Sequence, residues 1–219
     1  MADLLTTLRQ RFPKPDHRIS DLAGMFETVN TFIPVITAWK KEAASNKNLS
    51  EAGASAAYRR KIGENVMREV RNMNSLIRES REKISSSRVQ VTQPTFDQKD
   101  MLAAAHRREI REFLRNADTS QRLSLVMGKD ADPLFINAAL ELPTVVSGLL
   151  EQQADMVRKV YAERYHPDVL EHIELREEAL EVMTAFASIF KEEVRKQAGI
   201  RNEPDFDAWY ETGAEPEAA

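Results

Sequence analysis

Apolar residues recur along this chain every three to four positions, the spacing that places them on one side of an α-helix. Leu22, Phe26, Val29, Ile33 and Ile36 form the first clear stripe, opening near Ser20 or Asp21. Pro34 falls inside it and predicts a kink or restart near Ile33, because proline lacks a backbone donor and crowds the preceding turn. Ahead of this stripe, residues 3–11 suit a short helix closed by Pro13 and Pro15. Ser50 is placed to cap the next helix, a long basic segment running to about Ser85. Its apolar residues Ile62, Val66, Val70, Met73, Ile77 and Ile84 fall near a seven-residue repeat. Two readings follow: a coiled-coil seam with another chain, or a narrow-faced helix inside the chain's own bundle.

Ser85, Ser86 and Ser87, followed by Val89 to Pro94, predict the end of that helix and an extended connector. Thr95 and Gln98 have capping-box spacing for a helix carrying Met101, Leu102, Ile110, Phe113 and Leu114. Asp118 opens a short helix stopped by Gly128, and Asp132-Pro133 opens another through Leu134, Ile136 and Leu140. Leu150, Ala154, Val157, Tyr161 and Tyr165 make a further stripe. The last long helix, from Asp168 to Gln197, has a broad apolar face that predicts a central position in the core. Its first turns are acidic and its last turns basic, which suits the helix dipole. The expected fold is therefore all-α, an elongated helical bundle of about six to eight helices with one long heptad-like helix. Its expected parts are N-terminal helices over 1–88, a connector over 89–94, a helical domain over 95–199 and an acidic tail over 200–219.

Composition supports helices over sheets: only seven glycines leave few positions for tight turns. With 42% hydrophobic and 30% charged residues the chain has the means to bury a core. Charge divides the chain further. Residues 55–90 hold nine basic against four acidic side chains, whereas 200–219 hold six acidic and Arg201. Arg68, Arg71 and Arg78 are the candidate phosphate contacts of the basic helix. In the acidic tail, Phe206, Trp209 and Tyr210 are candidate docking residues, for the chain itself or for a partner. No basic and apolar leader opens the sequence, and its longest apolar stretch, Val182 to Phe190, is far short of the ~20 residues a spanning helix needs. A non-membrane protein of the cytoplasm is the expectation.

Signs of catalysis are sparse. The absence of cysteine excludes thiolate nucleophiles and thiolate metal sites. Paired Glu-x-x-His motifs and HExxH are missing, and the isolated glycines cannot assemble a phosphate-cradling loop. His172, near Asp168, Glu171 and Glu174, reads as part of a solvated acidic face. No catalytic, cofactor or metal residue is expected. Two rivals to a non-enzymatic reading remain: a nucleic-acid-binding protein using the basic helix together with His106, Arg107, Arg108, Arg111 and Arg115, and a helical enzyme or ligand-binding protein with a pocket near Tyr161, Tyr165 and His172.

Leu49-Ser50-Glu51-Ala52-Gly53 leading into a basic helix resembles segments of small helical proteins from phage and prophage structural operons. So do Asp132-Pro133, Leu142-Pro143, Ser147-Gly148-Leu149 and Tyr165-His166-Pro167. The resemblance implies a virion-associated or assembly role, in the host cytoplasm or the virion, and brings no catalytic residues. The leading expectation is a structural or assembly protein that meets protein partners or its own copies through the 62–84 seam and the aromatic tail.

Overall fold

A computed structural model describes residues 2–14, 16–97, 99–200 and 203–212, and the regular structure among them is all helical. Ten α-helices occur among the described residues: α1 (Ala2–Arg11), α2 (Ser20–Ser45), α3 (Glu51–Asn65), α4 (Met67–Thr92), α5 (Met101–Asn116), α6 (Thr119–Met127), α7 (Pro133–Leu140), α8 (Glu151–Tyr165), α9 (Pro167–Ala198) and α10 (Glu203–Thr212). Two short 3-10 turns, His17–Ile19 and Thr144–Ser147, join them. No strand occurs among the described residues.

The chain forms two compact units: residues 1–83 with 175–219, and residues 84–174. The boundary therefore differs from the expected connector at 89–94. α4 continues to Thr92 because Ile84 and Val91 are buried one heptad apart, and Ser87 between them is half-buried on the same face. Three serines cost a helix only a few tenths of a kcal/mol each, so burial of that stripe outweighs their propensity. The expected start of the following helix moves as well. Asp100, accepting from the Ala103 amide at 2.9 Å, caps α5; Gln98 lies outside the described residues.

In the discontinuous unit, Leu22, Phe26, Val29 and Ile36 of α2 are buried, as the stripe predicts. α2 runs unbroken through Pro34, so the expected restart does not occur. The proline sits on the exposed side, where water can serve the carbonyl that its missing N–H leaves free. The single long basic helix is instead two helices that meet at Val66, whose dihedrals remain right-handed at φ −106 and ψ −40. Asn65 donates its side-chain amide to the Lys61 carbonyl at 2.8 Å, a local bond that competes with the helical ladder beside the break.

Phe186 and Phe190 of α9 are buried in the same unit, and the Phe186 ring lies 4.6 Å from that of Phe26. Arg176 pins three segments there. It donates to the Arg18 carbonyl and to Asp21, each at 3.1 Å, and to the Ser80 hydroxyl at 3.0 Å. Burial pushes the Asp21 carboxyl up, but the Arg176 bond, the Leu22 amide and the arginine charge together hold it below its ordinary value.

The contiguous unit has a core built from Ile110 and Leu114 of α5, Val126 of α6, Ile136 and Ala139 of α7, and Ala154 and Val157 of α8. Arg107 and Arg111 of α5 converge on Glu141, the former at 2.9 Å. Burial alone would raise that carboxyl, yet the two guanidiniums outweigh it and lower it.

Candidate functional site

All six positions of the expected seam, Ile62, Val66, Val70, Met73, Ile77 and Ile84, are buried within this single chain. An intermolecular coiled coil through them would first have to expose them. The acidic end departs from a plain tail: residues 203–212 are α10, and Phe206, Trp209 and Tyr210 are buried. Lys191 of α9 reaches Asp207 at 2.7 Å and lies over the Tyr210 ring, so the aromatics dock on their own unit. Burial raises the Tyr210 phenol well above its ordinary value, keeping it neutral. Arg201, Glu215 and Glu217 lie outside the described residues.

The basic candidates separate by environment. Arg68, Arg71 and Arg78 are exposed; Arg68 lies 3.9 Å from Glu69, and Arg78 donates to the Ser75 hydroxyl at 3.2 Å. On α5, by contrast, Arg107 and Arg111 are committed to Glu141, and Arg115 donates twice to the Val146 carbonyl. The Tyr161 and Tyr165 rings meet at a 45° tilt with centroids 5.0 Å apart, and burial raises the Tyr161 phenol. His172 is exposed. Glu163 and His166 stand three residues apart at the end of α8, but no group of three metal-ligating side chains occurs among the described residues.

What sequence reading did not single out as a site is the loop between α7 and α8, residues 141–150. Its backbone is tied down almost residue by residue. The buried Ser147 hydroxyl donates to the Ala139 and Thr144 carbonyls, each at 3.1 Å. Arg115 holds the Val146 carbonyl at 2.8 Å, and Arg122 holds that of Gly148. The Leu149 amide returns to the Thr144 carbonyl at 3.1 Å, and the Leu150 amide meets the Gln153 side chain at 3.0 Å. From this fixed frame, Val145 and Leu150 project 76% and 68% exposed, and Leu142 is 43% exposed. Leu149 alone among the loop's leucines turns into the core.

Gly148 sets the loop's path. It adopts φ +76, and an added Cβ would lie 3.1 Å from the Arg122 Cζ and 3.3 Å from the Arg115 Cα. Left-handed backbone costs a non-glycine residue about 1 to 2 kcal/mol, before any displacement of the two arginines. Gly148→Ala is therefore expected to lower the unfolding free energy by about 2 kcal/mol, read as a fall in the urea midpoint.

Large apolar side chains left in water are concentrated in this unit, at Met101, Leu102, Phe113, Leu134, Met156, Tyr165 and Val169 as well as the loop. Leu102 is 83% exposed on the first turn of α5. Scattered exposed leucines are ordinary, but several on one ordered loop are characteristic of contact surfaces. A frame already rigid spends little conformational entropy on meeting a partner. Among the described residues no helix is long and apolar enough to cross a membrane. Compared with family models, curated proteins and solved structures, the chain finds no match.

Proposed function

We propose that this chain is a non-enzymatic structural or assembly protein whose contacts with protein partners, or with further copies of itself, are made by the apolar loop over 141–150. The observation that carries this reading is the combination of a backbone held by hydrogen bonds on nearly every residue with Val145 and Leu150 standing in water. The resemblance of Asp132-Pro133, Leu142-Pro143 and Ser147-Gly148-Leu149 to small helical phage proteins includes this same loop, and a virion or capsid and tail assembly role, in the host cytoplasm or the particle, accords with it.

Sedimentation and light scattering on the full chain test the proposal. Mass is expected to rise above 24.9 kDa with concentration, or on mixing with proteins encoded beside it. The double variant Val145→Glu, Leu150→Glu is expected to remain at monomer mass with unchanged circular dichroism, since both positions are exposed. A strictly monomeric wild type in both settings, or association that the double variant leaves untouched, rejects this reading.

A further inference from the structure

A groove of about 380 Å³ lies in the discontinuous unit between α4 and α9, with Tyr210 and Glu211 of α10 in its wall. That volume falls within the range of about 300 to 1,000 Å³ typical of small-molecule sites. Each long helix gives the groove successive turns of one face: Asn74, Arg78 and Arg81 from α4, and Thr184, Ser188 and Lys191 from α9.

The cations of this wall are not matched by anions. Arg78 donates to the Ser75 hydroxyl at 3.2 Å and Arg81 to the Thr184 hydroxyl at 3.3 Å, and neither meets a carboxylate among the described residues. Arginines such as Arg176 and Arg122, by contrast, are spent on carboxylates and carbonyls. Thr184 passes its own proton to the Leu180 carbonyl at 2.8 Å, so here it is the acceptor that holds Arg81 against the wall. Lys191 shares its charge with Asp207 at 2.7 Å. Glu211, the one carboxylate on the wall, makes no ion pair among the described residues.

Tyr210 supplies an observation of a different kind. It is only 5% exposed, it lines the groove, and its hydroxyl makes no hydrogen bond among the described residues. The Tyr58 hydroxyl and the Trp209 indole nitrogen are also unpaired, but they are sealed from water; the Tyr210 hydroxyl is not sealed, and it belongs to the groove's wall. A nearly buried donor without an acceptor is costly and calls for an explanation. Burial alone raises this phenol, so it stays protonated and able to donate.

Donors from three helices exceed what the two oxygens of a carboxylate accept. A phosphate monoester offers three terminal oxygens and close to two negative charges, and guanidiniums meet it with paired hydrogen bonds. We propose that this groove binds the phosphate group of a small phosphate monoester, held by Arg78 and Arg81, with Lys191 and the Tyr210 hydroxyl completing the donors. The site uses none of the residues of the 141–150 loop, so it stands apart from the assembly reading.

The test is an amide-resolved NMR titration of the full chain with inorganic phosphate, with ribose 5-phosphate and, separately, with a short oligothymidylate lacking a terminal phosphate. Saturable shifts confined to residues 74–81, 184–191 and 210–211 are expected with both phosphates. Loss of a charged hydrogen bond weakens binding by about tenfold or more, the expected effect of Arg78→Gln and of Arg81→Gln. Tyr210→Phe is expected to weaken it about threefold to tenfold at unchanged melting temperature, because its hydroxyl has no internal partner to lose. Glu211→Gln removes a repelling charge and is expected to tighten binding about twofold to fivefold. Failure of ribose 5-phosphate to bind, shifts that never saturate or fall outside the groove, or midpoints that Arg78→Gln or Tyr210→Phe leaves unchanged overturn the site. Binding of the oligothymidylate alone, weakened as much by Arg71→Gln outside the groove as by Arg78→Gln, also overturns it and assigns the face to a polynucleotide. Arg78 is exposed, so its variant decides the matter even if Arg81→Gln disturbs the contact with α9.

Discussion

Phe186→Ala is expected to lower the unfolding free energy by about 4 kcal/mol, the middle of the range for emptying a buried phenylalanine site. The ring has no exposed surface and sits between Phe26, 4.6 Å away, and Phe190, 6.1 Å away. Phe26 in turn stacks on Phe12 at 4.9 Å, so the row of rings ties the segment around Phe12 to α2 and α9. Removing its middle member creates a void that rigid helices cannot close. With a urea slope of about 2 kcal/mol per M, the midpoint falls by about 2 M. Phe186→Leu keeps most of the volume and is expected to cost less than about 1.5 kcal/mol. Equal losses for the two variants would show that ring volume is not what holds this core.

The second large effect is electrostatic. Arg122→Met is expected to cost about 3 kcal/mol, because one guanidinium serves four backbone carbonyls and each bond from a charged donor is worth about 1.5 to 3 kcal/mol before water partly replaces it. Its Nε reaches the Leu114 carbonyl at 2.7 Å, and its terminal nitrogens reach those of Arg115 at 3.2 Å, Ala117 at 2.7 Å and Gly148. The first three end α5, where the helix dipole leaves its negative pole and unpaired acceptors. Arg122→Lys keeps the charge but not the planar fork, so it is expected to recover only part of the loss. Thermal melts of the three proteins give the order directly, and a lysine variant as stable as wild type would remove the geometric explanation.

This use of arginine explains why the chemistry was harder to read in the sequence than the helices were. Periodicity located the helices because a buried stripe leaves its mark every three to four residues, as Leu22 to Ile36 and Ile173 to Val194 do. Charge leaves no comparable mark. Arg107, Arg111 and Arg115 look like a phosphate-binding row, yet their partners are Glu141 and the Val146 carbonyl, about thirty residues away along the chain. Arg164 closes the end of α6 on Met127 and Gly128, and Arg59 closes that of α9 on Ala198; neither pairing has a sequence signal. The α7–α8 loop was half legible. Leu142-Pro143 and Ser147-Gly148 mark a break between helices, and Gly148 suits a left-handed turn. That Leu149 points in while Val145 and Leu150 point out depends on contacts with α5 and α6, which no local pattern encodes. Helix ends failed for a similar reason: Ser85 to Thr92 reads as coil by composition and is helical because Ile84 and Val91 are covered.

The split of one unit around the other bears on synthesis. The stretch from 84 to 174 is continuous and has every residue of its own core once it leaves the ribosome. The discontinuous unit does not: Phe26 emerges long before Phe186, and translation at about 5 to 20 residues per second separates residue 83 from Phe186 by roughly 5 to 20 s. Throughout that interval the greasy sides of α2, α3 and α4 await α9, exposed to whatever the nascent chain meets. Slowing elongation past residue 174 would prolong that vulnerable stage, and chaperone capture of nascent chains halted there is where its cost should be visible.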